Sequence, residues 1–242
     1  MTETVATALI DLERTGATVW RGFRSADECA RLRDKAEQLL AGPARRQYPR
    51  STRVYKLYQY GQDLVDLMCD PGLLQVAEQT LGEHPLVSDF SLNQVSCGGM
   101  PDKWHIDYPF NEMSHLVSGS SLGMQCILAL SPFTAETGAT QFVPGTAHRV
   151  ALPAADAVDE YESFVAEPGD LLLMTAATWH RAGVNRTSTP RTAVLFSFVE
   201  RWVRPMEHPA LPGPWSQALL ARRLVGMERP PEEMALDGGV PV

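Results

Sequence analysis

The sequence predicts a mainly β fold, a double-sheet jelly roll buttressed by helices on its N-terminal side, and three observations lead there. From Pro85 onward, short apolar or alternating runs are separated by Gly and Pro, at 86–95, 104–107, 123–130, 139–143, 170–174 and 192–199. Runs of this length bounded by turn formers read as strands, and about eight of them in succession suit two stacked sheets. Before Pro85 the apolar period is that of helices instead. No repeat, low-complexity tract or linker interrupts the chain, so residues 1–242 are expected to form one domain.

Residues 25–40 carry Cys29, Leu32, Ala36, Leu39 and Leu40 at helical spacing. Ser25 and Glu28 stand as a capping box at the start, and Gly42-Pro43 stops the helix. Residues 63–81 repeat the pattern with Leu64, Leu67, Met68, Leu73, Val76, Ala77 and Leu81. Asp70-Pro71-Gly72 breaks that run, because proline lacks the N–H a helix interior needs, so two helices are expected. The division is a helical buttress over about 1–84, a jelly-roll core over about 85–204 and a tail over 205–242. Stretches 109–121 and 150–165 interrupt the strands and are long enough to be lids or insertions. In the proline-rich tail, 215–225 is expected to form a last helix.

Hydrophobic content of 44% with 21% charged residues is ordinary for a globular chain long enough to bury a core without staples. A net charge of −8 argues against a nucleic-acid partner. The densest basic cluster, Arg45, Arg46, Arg50 and Arg53, occupies one short polar segment and reads first as a solvated loop face. Its second reading is an entrance for an acidic or carrier-bound substrate. Cys29, Cys69, Cys97 and Cys126 are widely spread with no C-x-x-C pair, which fits reduced thiols better than a zinc knuckle or disulfide framework. Residues 1–11 lack the cationic start and long apolar stretch of a signal peptide, and no run approaches the ~18 apolar residues of a membrane span. A cytoplasmic protein without a membrane partner is the expectation.

Trp104-His105-Ile106-Asp107 places an imidazole and a carboxylate two residues apart. In a strand both point the same way, with Cα atoms about 6–7 Å apart, so they could grip one ion. With six histidines in the chain, one such spacing carries little weight by itself. His180 adds to it, because it follows the run 170–174 and precedes Arg191 at the head of 192–199. Two imidazoles and a carboxylate on neighbouring strands form a facial triad that leaves three positions open on Fe(II), although the donor set alone also admits zinc.

Further segments follow in order: Glu136-Thr137-Gly138-Ala139-Thr140-Gln141-Phe142-Val143-Pro144-Gly145-Thr146-Ala147-His148, then Pro168-Gly169-Asp170-Leu171-Leu172-Leu173-Met174, Trp179-His180, Asn185 and Arg191. Together with Trp104-His105-Ile106-Asp107 they resemble the phytanoyl-CoA dioxygenase family of Fe(II)/2-oxoglutarate-dependent oxygenases, from about Gly16 to Pro205. The resemblance implies a double-stranded β-helix, cupin-like, with iron on His105, Asp107 and His180 and with Arg191 binding the distal carboxylate of 2-oxoglutarate. It implies a single catalytic domain that uses O2 to oxidise, most simply to hydroxylate, a C–H bond of a small molecule, with 2-oxoglutarate released as succinate and CO2. Tailoring of a natural product is the expected setting. Asp107 disfavours halogenation, since related halogenases carry a small residue there. A guanidinium suits the carboxylate because it takes it in a charge-assisted fork.

One departure stands out. Family members often have a hydroxyl residue two positions after the distal histidine, and here that position is Ala182. Thr140 and Gln94 are the candidates to supply the missing donor. Tyr108, Phe110, Met113 and His115 follow the carboxylate ligand and are candidate substrate contacts. His148 reads as structural, His84 and His208 as loop residues, Asp170 as part of a turn, and Trp104 and Trp179 as packing around the two histidines. A metal-dependent lyase or hydrolase, or a non-catalytic binding module on the same barrel, are the competing readings.

Overall fold

A computed structural model describes residues 2–98, 101–116, 121–149, 151–153, 158–208 and 218–228. Parts of both expected lids, at 117–120, 150 and 154–157, and Trp215 of the expected last helix lie outside the described residues. The helices are α1 (Glu3–Thr15), α2 (Ala26–Ala41), α3 (Gln62–Met68), α4 (Pro71–Leu81) and α5 (Leu219–Leu224). The strands are β1 (Ala17–Trp20), β2 (Arg46–Gln47), β3 (Ser51–Val54), β4 (Leu86–Val95), β5 (Gly123–Ala129), β6 (Thr140–Phe142), β7 (Glu162–Ser163), β8 (Leu171–Thr175), β9 (His180–Ala182) and β10 (Arg191–Val199).

The local signals act as their chemistry requires. Ser25 Oγ accepts from the Glu28 amide at 3.3 Å, and the Ser25 amide donates back to Glu28 Oε2 at 2.9 Å, which closes the capping box of α2. Asp70 caps α4 by accepting from the Leu73 amide at 3.0 Å, and Pro71 occupies the first turn, where its missing N–H costs nothing. The unforeseen α1 buries only Val5, Ala8 and Leu12, a stripe too thin to stand out by hydrophobicity.

Two antiparallel sheets form the jelly roll, one ordered β1-β8-β5-β10-β4-β3-β2 and the other β7-β6-β9. Alternation along each strand assigns its faces. On β10, Val194, Phe196 and Phe198 join Phe90, Leu92, Met124 and Leu128 beneath the helices, against Leu12, Leu32, Leu73 and Val76. Ala193 instead faces the second sheet, in a cluster with Ile127, Leu172, Met174, Phe133, Phe142 and Phe164. Phe196→Ala, at a fully buried position in the middle of β10, is expected to lower the unfolding free energy by about 3–5 kcal/mol, readable by urea denaturation.

The structure corrects the sequence reading in three places. Residues 104–107 form no strand; His105 makes a single bridge with His180, through amide-to-carbonyl bonds of 3.0 Å each way. Strands β1, β2 and β3 fall inside the segment expected to be helical, because two to four residues are too few to display a period and only pairing partners such as β8 and β4 define them. The arginine cluster is therefore a hairpin at the sheet edge, with Arg46 paired to Arg53 in register, rather than a loop. Among the described residues no helix is long and apolar enough to cross a membrane.

Candidate metal centre and adjoining cavity

His105, Asp107 and His180 present one ligand atom each, all within 4.8 Å of one another. Asp107 Oδ2 lies 3.2 Å from His180 Nε2, and Oδ1 lies 3.7 Å from His105 Nε2. The backbone aims each group. His180 opens β9, His105 is bridged to it, and the Asp107 amide donates to the Ala176 carbonyl at 2.8 Å. Each imidazole also meets the carbonyl two residues before it at 2.9 Å, His105 Nδ1 to Lys103 and His180 Nδ1 to Thr178. A carbonyl can only accept, so both Nδ1 atoms carry hydrogen and both Nε2 lone pairs point at Asp107.

The protonation states suit a cation. Burial, and then the neighbouring His180, hold His105 below the usual histidine range. Burial would push the Asp107 carboxyl up, but His180 and His105 more than offset it, so Asp107 titrates below its ordinary value. For His180 burial acts downward and the charge and hydrogen bond of Asp107 prevail, raising it. A metal ion here takes the place of the His180 proton.

Arg191 is the first residue of β10 and is only 4% exposed. It lies 4.3 Å above the Phe133 ring and donates from Nη1 to the Gly138 carbonyl, and its buried Nε has no partner among the described residues. Burial lowers its pKa to about 10, so it stays a cation, and among the described residues no carboxylate comes within ion-pair distance. Gly138 is required where it stands. Its φ is +75°, and a Cβ would meet the backbone of Gly183, Val184 and Asn185 at 2.6–2.7 Å. Asn185, fully buried, accepts from the Thr187 amide at 3.0 Å and donates to the Thr189 carbonyl at 2.8 Å, shaping the turn that returns the chain to Arg191.

A cavity of about 260 Å³ joins these groups. Thr140, the direct cross-strand partner of Ala182, lines it beside Arg191, and its hydroxyl makes no hydrogen bond among the described residues. Gln94 does not line it; on β4 its side-chain amide donates to Thr192 Oγ1 at 3.3 Å, while its neighbour Asn93 faces the cavity with Oδ1 buried and, among the described residues, unpartnered. Of the expected substrate contacts, Tyr108 lines the cavity and donates to the Arg204 carbonyl. The structure does not bring the other three there. Phe110 is buried with Ile106, Leu122 and Trp179 behind the ligand loop, Met113 packs on the same cluster, and His115 is exposed. His148 is exposed and bonds the Glu13 carbonyl at 2.8 Å, away from the triad. Trp104 sits under the Arg181 guanidinium at 4.3 Å, so it serves packing.

Sequence reasoning missed Asp89, Asn93, Asn111 and Gln125, all on the cavity wall, which Arg53 of the arginine cluster also lines. A signal existed in β4, where Asp89, Ser91 and Asn93 alternate with Phe90 and Leu92, which marks a polar inner face. A second cavity of about 420 Å³ adjoins the first, sharing Arg53, Tyr55, Asn93, Asp102 and Ala182, and reaches Tyr48 and Arg50 of the β2–β3 hairpin.

A family profile described as phytanoyl-CoA dioxygenase (PhyH) matches residues 12–193. The chain is 28% identical over 152 residues to dioxygenase af480 of Aspergillus fumigatus, covering 62% of this chain and 48% of that one. It is 32% identical over 156 residues to the multifunctional dioxygenase ausE of Aspergillus calidoustus, covering 60% and 50%. The chain thus spans about half the length of these curated relatives. Among solved structures, the epimerase SnoN in complex with Fe3+, alpha ketoglutarate and nogalamycin RO superposes with a TM-score of 0.69 at 20% identity, covering 81% of this chain and 83% of that one. EctD from S. alaskensis with bound Fe gives 0.71 at 22% identity, covering 93% and 85%.

Proposed function

Because the chain belongs to the phytanoyl-CoA dioxygenase family, we propose that it is an Fe(II)/2-oxoglutarate-dependent oxygenase of a small molecule, with iron on His105, Asp107 and His180 and the distal carboxylate of 2-oxoglutarate on Arg191. The observation that carries this reading is the buried Arg191 guanidinium, which among the described residues has no carboxylate within ion-pair distance and shares a cavity with a two-histidine, one-aspartate cluster. The donor set fits the group. Two neutral nitrogens and one carboxylate oxygen, all inward and all on one side, suit Fe(II) that must keep positions open. A carboxylate reaching Arg191 would satisfy the orphaned Nε in the same stroke. Lyase, hydrolase and binding-module readings leave that guanidinium unanswered.

Iron and 2-oxoglutarate together supply the oxidising power of O2, with loss of CO2 and formation of succinate. The chain's own residues position and shield. Thr140 donates its hydroxyl to the carboxylate on Arg191, in the place that Ala182 leaves vacant. Ile127, Leu195 and Met174 make the apolar wall that keeps water from the reacting centre. Tyr108 and Asn111 bound the substrate side. Hydroxylation is the reaction we assign, on a natural-product substrate, in keeping with relatives named as fungal dioxygenases and with a neighbour solved around nogalamycin RO.

The test is an anaerobic titration of metal-free protein with Fe(II) and then 2-oxoglutarate. A weak visible charge-transfer band, followed in air by succinate release, is the expected result; bound metal without the band would defeat the reading. Thr140→Val is expected to weaken 2-oxoglutarate binding about tenfold, the worth of one hydrogen bond to a charged group. Gln94→Ala, on the far face of β4, is expected to leave that affinity unchanged in the same titration.

A further inference from the structure

The cavity has a second pole that neither the metal nor the cosubstrate uses. In register, β4 and β10 pair Val95 with Arg191 at one end and Asp89 with Ser197 at the other, six residues or about 20 Å along the strands. At the far end Asp89 lines the cavity. Its Oδ2 accepts from Ser91 Oγ at 2.9 Å and its amide donates to Ser197 Oγ at 3.1 Å, which fixes the side chain on a rigid strand. Oδ1 has no hydrogen bond among the described residues.

We propose that Asp89 is the specificity-determining residue of the substrate end, and that the substrate carries a basic nitrogen whose N–H it receives. The inference rests on the oxygenase reading of the iron site. Its first support is solvation. Asp89 is partly buried, and a carboxylate so placed is costly unless a cation or donors compensate; among the described residues one serine hydroxyl bonds it, and Arg53 acts on it only at longer range. Arg53 faces it from β3, yet stands beyond ion-pair distance of every carboxylate among the described residues. Burial raises the Asp89 carboxyl to about 6, with Ser91 and Arg53 acting downward and Asp107 upward, so it is charged at neutral pH. Its neighbour Glu207 is pushed to about 8 by burial and then by Asp89, so the negative charge of this end resides on Asp89.

A second support is the pairing of opposite poles. A dianion such as 2-oxoglutarate is drawn to Arg191 and repelled from Asp89, so the two reactants are sorted by charge before any shape is read. A neutral hydroxyl needs no carboxylate, since Ser197 and Gln125 already line this wall. An ammonium does.

The experiment uses the anaerobic Fe(II)·2-oxoglutarate protein and three probes of one shape, cyclohexylamine, cyclohexanol and cyclohexanecarboxylate. Binding is read as broadening of the probe proton resonances by the paramagnetic iron. Wild type is expected to retain the amine at least about tenfold more tightly than the acid, with the alcohol between, and Asp89→Asn is expected to erase that order. Asn is isosteric, and a retained charge-transfer band reports that the variant's site is intact; if the variant fails to fold, the wild-type order alone decides. An alcohol bound as tightly as the amine, an acid preferred, no probe retained, or an order that survives in Asp89→Asn each overturns the assignment of Asp89. Loss of the band in wild type is a different failure, that of the oxygenase reading, and takes this inference with it.

Discussion

Arg191→Gln is expected to raise the dissociation constant for 2-oxoglutarate about a hundredfold while Fe(II) still binds. The guanidinium is almost wholly buried, and among the described residues its one bond is to the Gly138 carbonyl, which leaves donors to spare for a ligand. Hydrogen bonds to a charged group contribute about 1.5–3 kcal/mol each, and truncating one partner of a buried pair costs about 2–5 kcal/mol, which sets the scale. Glutamine can still reach toward Gly138 but offers no charge. Arg191→Lys is expected to recover only part of the affinity, because a point charge cannot reproduce the fork. Titration of the charge-transfer band separates the effects: the variant's midpoint for 2-oxoglutarate moves and its metal content does not. A midpoint unchanged in Arg191→Gln would remove Arg191 from the site.

Asp107→Ala is expected to cost at least about a hundredfold in Fe(II) affinity and to abolish succinate formation. Loss of a mere outer partner of a metal ligand already costs about 10–100-fold, and Asp107 is the sole anionic donor of the cluster. The substitution also removes the largest upward influences on the His180 pKa, leaving the Thr178 carbonyl and Asp102 to oppose burial, so His180 shifts toward the neutral imidazole. Two neutral histidines remain, which hold a cation weakly. His180→Ala is expected to behave alike, since that ring lies 3.2 Å from the carboxylate and sets its charge. Metal analysis after gel filtration, paired with succinate release, checks both variants. Iron retained at wild-type level by either would sink the ligand assignment.

Much of this molecule could be read locally. The capping box at Ser25, the break at Pro71 and the strands β4, β5, β6, β8 and β10 are set by neighbours within a few residues, and each stands within two residues of where its pattern places it. Asn185 belongs to the same class, since its bonds to Thr187 and Thr189 are made within its own turn, whereas Gly138 is required in part by the distant backbone of 183–185. His105, Asp107 and His180, which the fold brings together, and Arg191, which lines the same cavity, were named for a different reason: their order and spacing along the chain form a recognisable set. Strands β1 to β3 were not legible, being too short to show a period until β8 and β4 pair with them.

The contents of the cavity were decided by tertiary structure. Gln94 and Asn93 are adjacent in sequence, and only the register of β4 against β10 settles that Asn93 faces inward. Phe110 and Met113 follow Asp107 of the cluster closely, yet the turn after it sends them into an apolar cluster with Trp179. Arg53 reads as one of four surface arginines until the β2–β3 hairpin folds over the sheet edge. Asp89 lies 18 residues before Asp107 and 102 before Arg191, distances over which sequence carries no geometric information. Periodicity and capping act through bonds a few residues apart, so the sequence by itself determined the longer elements with a clear period and the order of His105, Asp107, His180 and Arg191. Which side chains meet across the sheets depends on strand parity and pairing over the whole chain, and that only the folded structure could decide.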